Sequence, residues 1–273
     1  MPTQLLIYEN AVPVSSARHG AHSVEVGGDY AFSRHVNAVP LMAVEFPAAA
    51  AEYAIVFTSQ DDVIIPAAML GLRGKENLYL NEQGAWEAKY IPAFIRRYPF
   101  VFSTSRDGQT FTLCIDEAYA GVNAEGRGER LFNADGQPTA YVDDVLNFLR
   151  GYQSQFQRTQ AFCQKLKELG LLEPMQAQVA LSGGGRLSLT GFLAVNRQKL
   201  KDLSGDKLAE LAKSDELELL YLHLQSMRNF TNMRNRMFPA SAAGASTEAR
   251  QDSPAAGGGA EGGNGLAQQA AGV

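Results

Sequence analysis

Between residues 142 and 166 apolar side chains recur more regularly than anywhere else in the chain. Val142, Val145, Leu149, Tyr152, Phe156, Thr159, Cys163 and Leu166 follow one another in alternating steps of three and four. A seven-residue repeat of this kind is one face of an α-helix. Thr159 alone of these positions is polar, so the spacing predicts a helix of about eight turns, closed by Gly170 just beyond its end. Supercoils sustain such a repeat for longer, so this helix is expected to pack on its own domain. Further on, residues 175–181 and 186–193 alternate around Ser182, Gly183, Gly184 and Gly185, which predicts a hairpin. The triple glycine lacks the following Lys-Ser or Lys-Thr and the helix opening of a phosphate cradle. Ser204 and Asp206 can cap a helix running through Ala212. Ser214 or Asp215 can cap another that carries Leu217, Leu220, Leu224 and Met227, with His223 beside its seam as a structural histidine.

The N-terminal half reads as strands and turns. Residues 5–8 form a short apolar run, and Ser23 to Val26 alternate weakly. An Ala-rich stretch opened by Pro47 predicts a helix that feeds a buried strand over 54–58. Glu45 stands in an otherwise apolar stretch before it. Residues 63–70 predict a second interior strand, with Pro66 expected to interrupt its pairing. Two hairpins follow, 77–80 with 85–88 and 100–104 with 110–115, each joined by a polar turn. Trp86, Phe100, Phe102, Phe111 and Leu113 are expected on the buried face. The fold class is therefore α+β: a largely antiparallel sheet built from hairpins, with a long amphipathic helix and C-terminal helices packed on it. One domain is expected over 1–238, β-rich to 136 and helix-rich from 137. From 239 to 273 the composition shifts to Ala, Gly, Ser and Gln, which predicts a disordered tail.

Between the two hairpins lies a Pro-bounded segment with the chain's single tryptophan at its start, Trp86. Pro92 suits a helix start and Pro99 a helix stop, so one or two turns lie between them. Ile91, Phe94, Ile95 and Tyr98 share a face, with Arg96 and Arg97 beside it. The face needs a partner surface. Either it anchors the core and its arginines bond neighbouring carbonyls or carboxylates, or Trp86, Tyr90, Arg96, Arg97 and Tyr98 form a ligand- or partner-binding site. The run Tyr90-Ile91-Pro92-Ala93-Phe94-Ile95-Arg96-Arg97-Tyr98-Pro99-Phe100, with the later amphipathic stretch 219–230, resembles the SapC family of bacterial proteins over about residues 5–237. That resemblance implies association with the bacterial surface layer and serum resistance, or with components of peptide uptake systems. It supplies no active-site residues.

Charge and composition narrow the function classes. A net charge of -5 gives no electrostatic footprint for nucleic acid. The 45% hydrophobic content supports a core. Cys114 and Cys163 sit in apolar patterns and read as buried hydrophobes, without metal or redox spacing. No basic segment precedes an apolar run at the N-terminus, and no window approaches about 18 consecutive apolar residues. A cytoplasmic location without membrane insertion is expected, surface association requiring non-cleaved export. His19, His22 and His35 lack the Cys or carboxylate company of a metal site, no Gly-x-Ser-x-Gly elbow is present, and the acidic pairs 61–62 and 143–144 suit a turn and a helix first turn. No catalytic residue, metal or cofactor is assigned. The expectation is a soluble, non-catalytic binding or assembly component with a protein partner. The alternatives are an enzyme or small-molecule binder with an anion pocket at Arg96 and Arg97, or a soluble accessory of peptide uptake.

Overall fold

The computed structural model describes residues 6–60, 62–105, 107–180 and 186–238. In chain order the first elements are β1 (Ala11–Pro13), α1 (Ser16–His19), β2 (Ser23–Val24), β3 (Ala38–Pro40), α2 (Phe46–Ala49), β4 (Ile55–Gln60) and β5 (Val63–Met69). Next come α3 (Ala93–Arg96), β6 (Phe100–Thr104), β7 (Phe111–Asp116), β8 (Val122–Asn123) and β9 (Glu129–Arg130). The remainder is α4 (Ala140–Glu168), β10 (Leu172–Ala180), β11 (Arg186–Val195), α5 (Arg197–Lys201), α6 (Gly205–Lys213), α7 (Glu216–Ser226) and α8 (Asn229–Met237). The fold is α+β, its strands paired antiparallel in three sheets: β10-β11-β4-β5-β3, β1-β7-β6 and β8-β2-β9. The expected tail and the 182–185 link lie outside the described residues.

The long helix forms because its seam finds a core. Val142, Leu149, Tyr152, Thr159, Cys163 and Leu166 are all buried. Thr159, the seam's polar residue, accepts the Ala43 N–H at 2.9 Å and donates to the Gln155 carbonyl at 2.7 Å. Its hydroxyl thus ties α4 to the loop before α2. At the far end Gly170 adopts φ +64°, its N–H bonding Lys167 O while Leu171 N–H bonds Leu166 O. This is a glycine-closed helix end whose last carbonyls are satisfied.

The five-stranded sheet corrects one expectation. Pairing of β4 with β5 runs unbroken from Ile55↔Ala68 to Gln60↔Val63, straight through Phe57↔Pro66. The two backbone polar groups of a strand residue point to the same side. Pro66 O accepts the Leu41 N–H, so its missing donor also faces that side. There β3 has already ended, at Pro40↔Ala67. The proline therefore leaves the β4–β5 ladder intact.

Between β11 and β4 a single pair, Leu193↔Phe57, is in register. Helix α7 supplies the rest of the junction. Ser226 Oγ accepts the Ile55 N–H at 2.9 Å, His223 Nδ1 lies 2.9 Å from Ile55 O, and His223 Nε2 accepts the Val195 N–H at 3.0 Å. The ring is fully buried, and burial pushes its pKa down to about 4. His223 is a structural histidine, as its place beside the seam predicted.

Other expectations give way to side chains that compete for backbone. Residues 6 and 7 are turn and Tyr8 is irregular, not strand, and β1 begins at Ala11. The reason is the buried Asp116, whose carboxylate takes the N–H groups of Glu9 and Asn10 at 2.9 Å each. The predicted hairpin 77–88 shrinks to one bridge, Leu80↔Trp86. Asn77 and Asn81 accept the N–H groups of Tyr79 and Ala85, replacing ladder bonds. Phe111 shares a face with Phe102 and Leu113 but sits at the strand end, 39% exposed. Helix α8 went unpredicted; its Asn229 amide donates to Ala50 O and Tyr53 O, both at 2.9 Å, and closes the turn after α2.

Candidate functional site

Helix α3 is short because Pro92 and Pro99 flank it, and it is fixed by a carboxylate distant in sequence. Buried Glu45 accepts the Ala93 N–H and the Tyr90 hydroxyl, each at 2.7 Å, and the Met42 N–H at 2.8 Å. Phe94 and Ile95 then point into the core, at 0% and 1% exposure.

The two arginines part company. Arg97 is buried, its guanidinium carbon 4.3 Å from the ring centre of Phe94, 4.9 Å from Tyr152 and 5.7 Å from Tyr8. Burial raises the Tyr8 hydroxyl well above its ordinary range, with Arg97 pulling against that shift. Arg96 is exposed; its Nε–H donates to Ile91 O at 3.0 Å, and its guanidinium carbon lies 5.4 Å from the Phe148 ring and 5.8 Å from Tyr90. Tyr98 donates its hydroxyl to Asp116 at 3.2 Å and stacks on Phe32 at 4.1 Å. Trp86 stands behind the helix, its indole N–H donating to Tyr53 OH at 2.8 Å, and Tyr53 in turn donates to Tyr90 O.

In front of Arg96 opens a cleft of about 630 Å³, walled by α3, the first turns of α4 and the loop before residue 33. The half-buried rings of Tyr30, Phe32, Tyr98, Tyr119, Tyr141 and Phe148 line it. Arg96, Asp29 and Asp144 stand exposed at its rim. On the other side of Arg96 a second hollow, about 380 Å³, is lined by Glu45, Tyr90, Asn147 and Gln155. Of the five residues singled out in the sequence, Arg96 lines both hollows, Tyr98 and the buried Arg97 line the larger, Tyr90 lines the smaller, and Trp86 lines neither.

The lining of the larger cleft is mostly aromatic and apolar. Among the described residues that line the two hollows there is no histidine, cysteine or serine. The Tyr98 hydroxyl is spent on Asp116, and that of Tyr119 on Glu25 O at 3.0 Å. Burial pushes the Tyr141 hydroxyl up to about 12, so it remains a neutral donor at physiological pH. The cysteines stay away: burial raises the Cys114 thiol and pushes Cys163 up to about 12. His19 accepts the Ser15 N–H through Nδ1 at 3.2 Å and pairs Nε2 with Glu117 at 3.1 Å; its ring lies 5.6 Å from that of His22, edge-on. Arg18 grips the same carboxylate twice at 2.6 Å and holds it below its usual range. Among the described residues no group of three or more His, Cys, Asp or Glu could hold a metal ion, and no helix is long and apolar enough to cross a membrane.

Sequence reasoning overlooked most of this lining. Tyr141, Asp144 and Phe148 follow one another at steps of three and four, beside the seam of α4 and not on it. Two large aromatics just off a helix's core stripe were the available signal. Compared with known protein families, residues 14–233 match the family model described as SapC, a span that includes every wall of the cleft. No curated protein matches the chain, and no solved structure does.

Proposed function

The chain belongs to the SapC family, and from that premise we propose that it is a non-catalytic binding component of a surface-associated assembly, with the aromatic cleft as its binding face. One observation carries the reading: six half-buried aromatic rings converge on a cleft of about 630 Å³, with exposed charges at the rim and the buried Arg97 in the lining. Apolar surface gathered in a concave site and rimmed by polar groups is how binding sites are built. The lining lacks a nucleophile paired with a base, which favours binding over turnover. The surface-layer association is the family's, and a role in peptide uptake rests on the same family link alone. A second reading, an anion pocket, keeps one supporting observation, the exposed Arg96 guanidinium between the two hollows. Asp29 and Asp144 on the same rim weaken it.

Hydrogen exchange on the full chain, with and without a detergent extract of the native cell envelope, tests the proposal. Slowed exchange is expected in 26–32, 95–100 and 141–149, and its loss in Asp144→Lys, which places a cation at the rim. Slowing confined to other surfaces, or unaltered by Asp144→Lys, refutes the cleft as the binding face.

A further inference from the structure

Resting on the cleft as the binding face, we infer that its ligand class is a neutral saccharide. The lining's formal charges balance, Asp29 and Asp144 against Arg96 and Arg97, which favours neither charged class. A compact cation suits an aromatic cage and the carboxylates of Asp29 and Asp144, but Arg96 at the mouth and Arg97 in the lining repel it. An anion suits Arg96 and the buried Arg97 in the lining, but the carboxylates of Asp29 and Asp144 flank the same opening and oppose it. A neutral ligand meets neither penalty.

The walls and the rim ask different things of that ligand. Tyr30, Tyr141 and Phe148 present half-buried ring surface, which takes an apolar C–H face. The rim supplies acceptors and donors fixed on planar groups: the Asp144 carboxylate, the Asp29 carboxylate and the Arg96 guanidinium. Asp29 is partly committed, one oxygen accepting the Ala31 N–H at 2.8 Å, which holds the carboxylate in place. Among the described residues, the Tyr30 and Tyr141 hydroxyls are engaged with no protein partner, in contrast to Tyr98 and Tyr119. A sugar ring combines an apolar face with hydroxyls around its edge, each both donor and acceptor, and so meets walls and rim together. A flat aromatic such as indole uses the walls and leaves the rim idle. A cleft of about 630 Å³ lies within the size range of ligand sites, which run from about 300 to 1,000 Å³.

The test is a titration of the full chain, followed by backbone amide chemical shifts. The probes are cellotetraose, maltotetraose and chitotetraose, with choline, citrate and indole alongside. The inference expects saturable shifts in 26–32, 95–100 and 141–149 from at least one saccharide. It also expects about ten-fold weaker binding in Asp144→Ala and in Tyr141→Phe, two changes at an exposed and a half-buried position that leave the thermal midpoint in place. Cleft shifts from choline, citrate or indole without a saccharide response keep the cleft and overturn the saccharide class. Saccharide shifts outside the cleft, or of undiminished affinity in both variants, overturn it too. Silence from all six probes also overturns it, while the exchange experiment decides the cleft separately.

Discussion

Acid should loosen this protein through one imidazole. In the folded chain His223 is neutral: its Nε2 accepts the Val195 N–H at 3.0 Å, so the ring proton sits on Nδ1 and is donated to Ile55 O at 2.9 Å. A proton on Nε2 destroys the first bond and places a charge in the core, which is why burial pushes the pKa from 6.5 to about 4. The sign follows directly. Between those two values the unfolded chain holds one more proton than the folded one, so stability rises with pH across that window. The contribution is complete above 6.5 and is lost as pH falls toward 4. The gap corresponds to about 3 kcal/mol, most of it gone by about pH 4.5. Urea unfolding followed by Trp86 fluorescence, at steps from about pH 7.5 to about pH 4.5, measures it. His223→Leu leaves the Val195 N–H and Ile55 O unpaired, so it is less stable at neutral pH by about 1–3 kcal/mol per group. Its stability should nonetheless fall about 3 kcal/mol less on acidification, because carboxylates titrate alike in both proteins. Equal pH slopes in the two proteins refute the assignment.

Two further changes probe the anchor of the cleft. Glu45→Ala strips the acceptor from Met42 N–H, Ala93 N–H and Tyr90 OH at once, and a loss of about 3 kcal/mol is expected in urea unfolding; a change under about 1 kcal/mol contradicts the anchoring role. Arg97→Met should cost about 2 kcal/mol through lost contacts with the Phe94, Tyr152 and Tyr8 rings. The exposed Arg96→Ala should stay within about 0.5 kcal/mol. Thermal melts that rank the two the other way round invert the geometry drawn for the pair.

What could be read from the sequence was whatever each element decides alone. The α4 seam was legible because one helix face repeats with a fixed period, and Thr159 stood out as its exception. The hairpin of β6 with β7 was legible from its polar turn, and that of β10 with β11 from alternation. Glu45 was visible as an oddity, but its partners at Tyr90 and Ala93 lie 45 and 48 residues away and follow no period. Asp116 closes a strand in the sequence and gathers the backbone of Glu9 and Asn10 from 107 and 106 residues off. Arg96 and Arg97 are adjacent and chemically identical; only the surroundings of α3 decide that one is exposed and the other buried. The cleft depends on loop, helix and strand segments that no local pattern links.

That arrangement also sets an order of events on the ribosome. The aromatic residues at 30, 32, 98, 100 and 119 leave the exit tunnel before Tyr141, Asp144 and Phe148, which form the opposite wall. Helix α4, whose seam buries Val142, Leu149 and Tyr152, is synthesised after most of the surface it covers. Until its first turns emerge, a growing chain carries ring-rich surface with nothing to close it. The nascent protein is therefore most prone to aggregate, and most in need of a chaperone, after Tyr119 has left the tunnel and before Tyr141 to Leu149 follow it out.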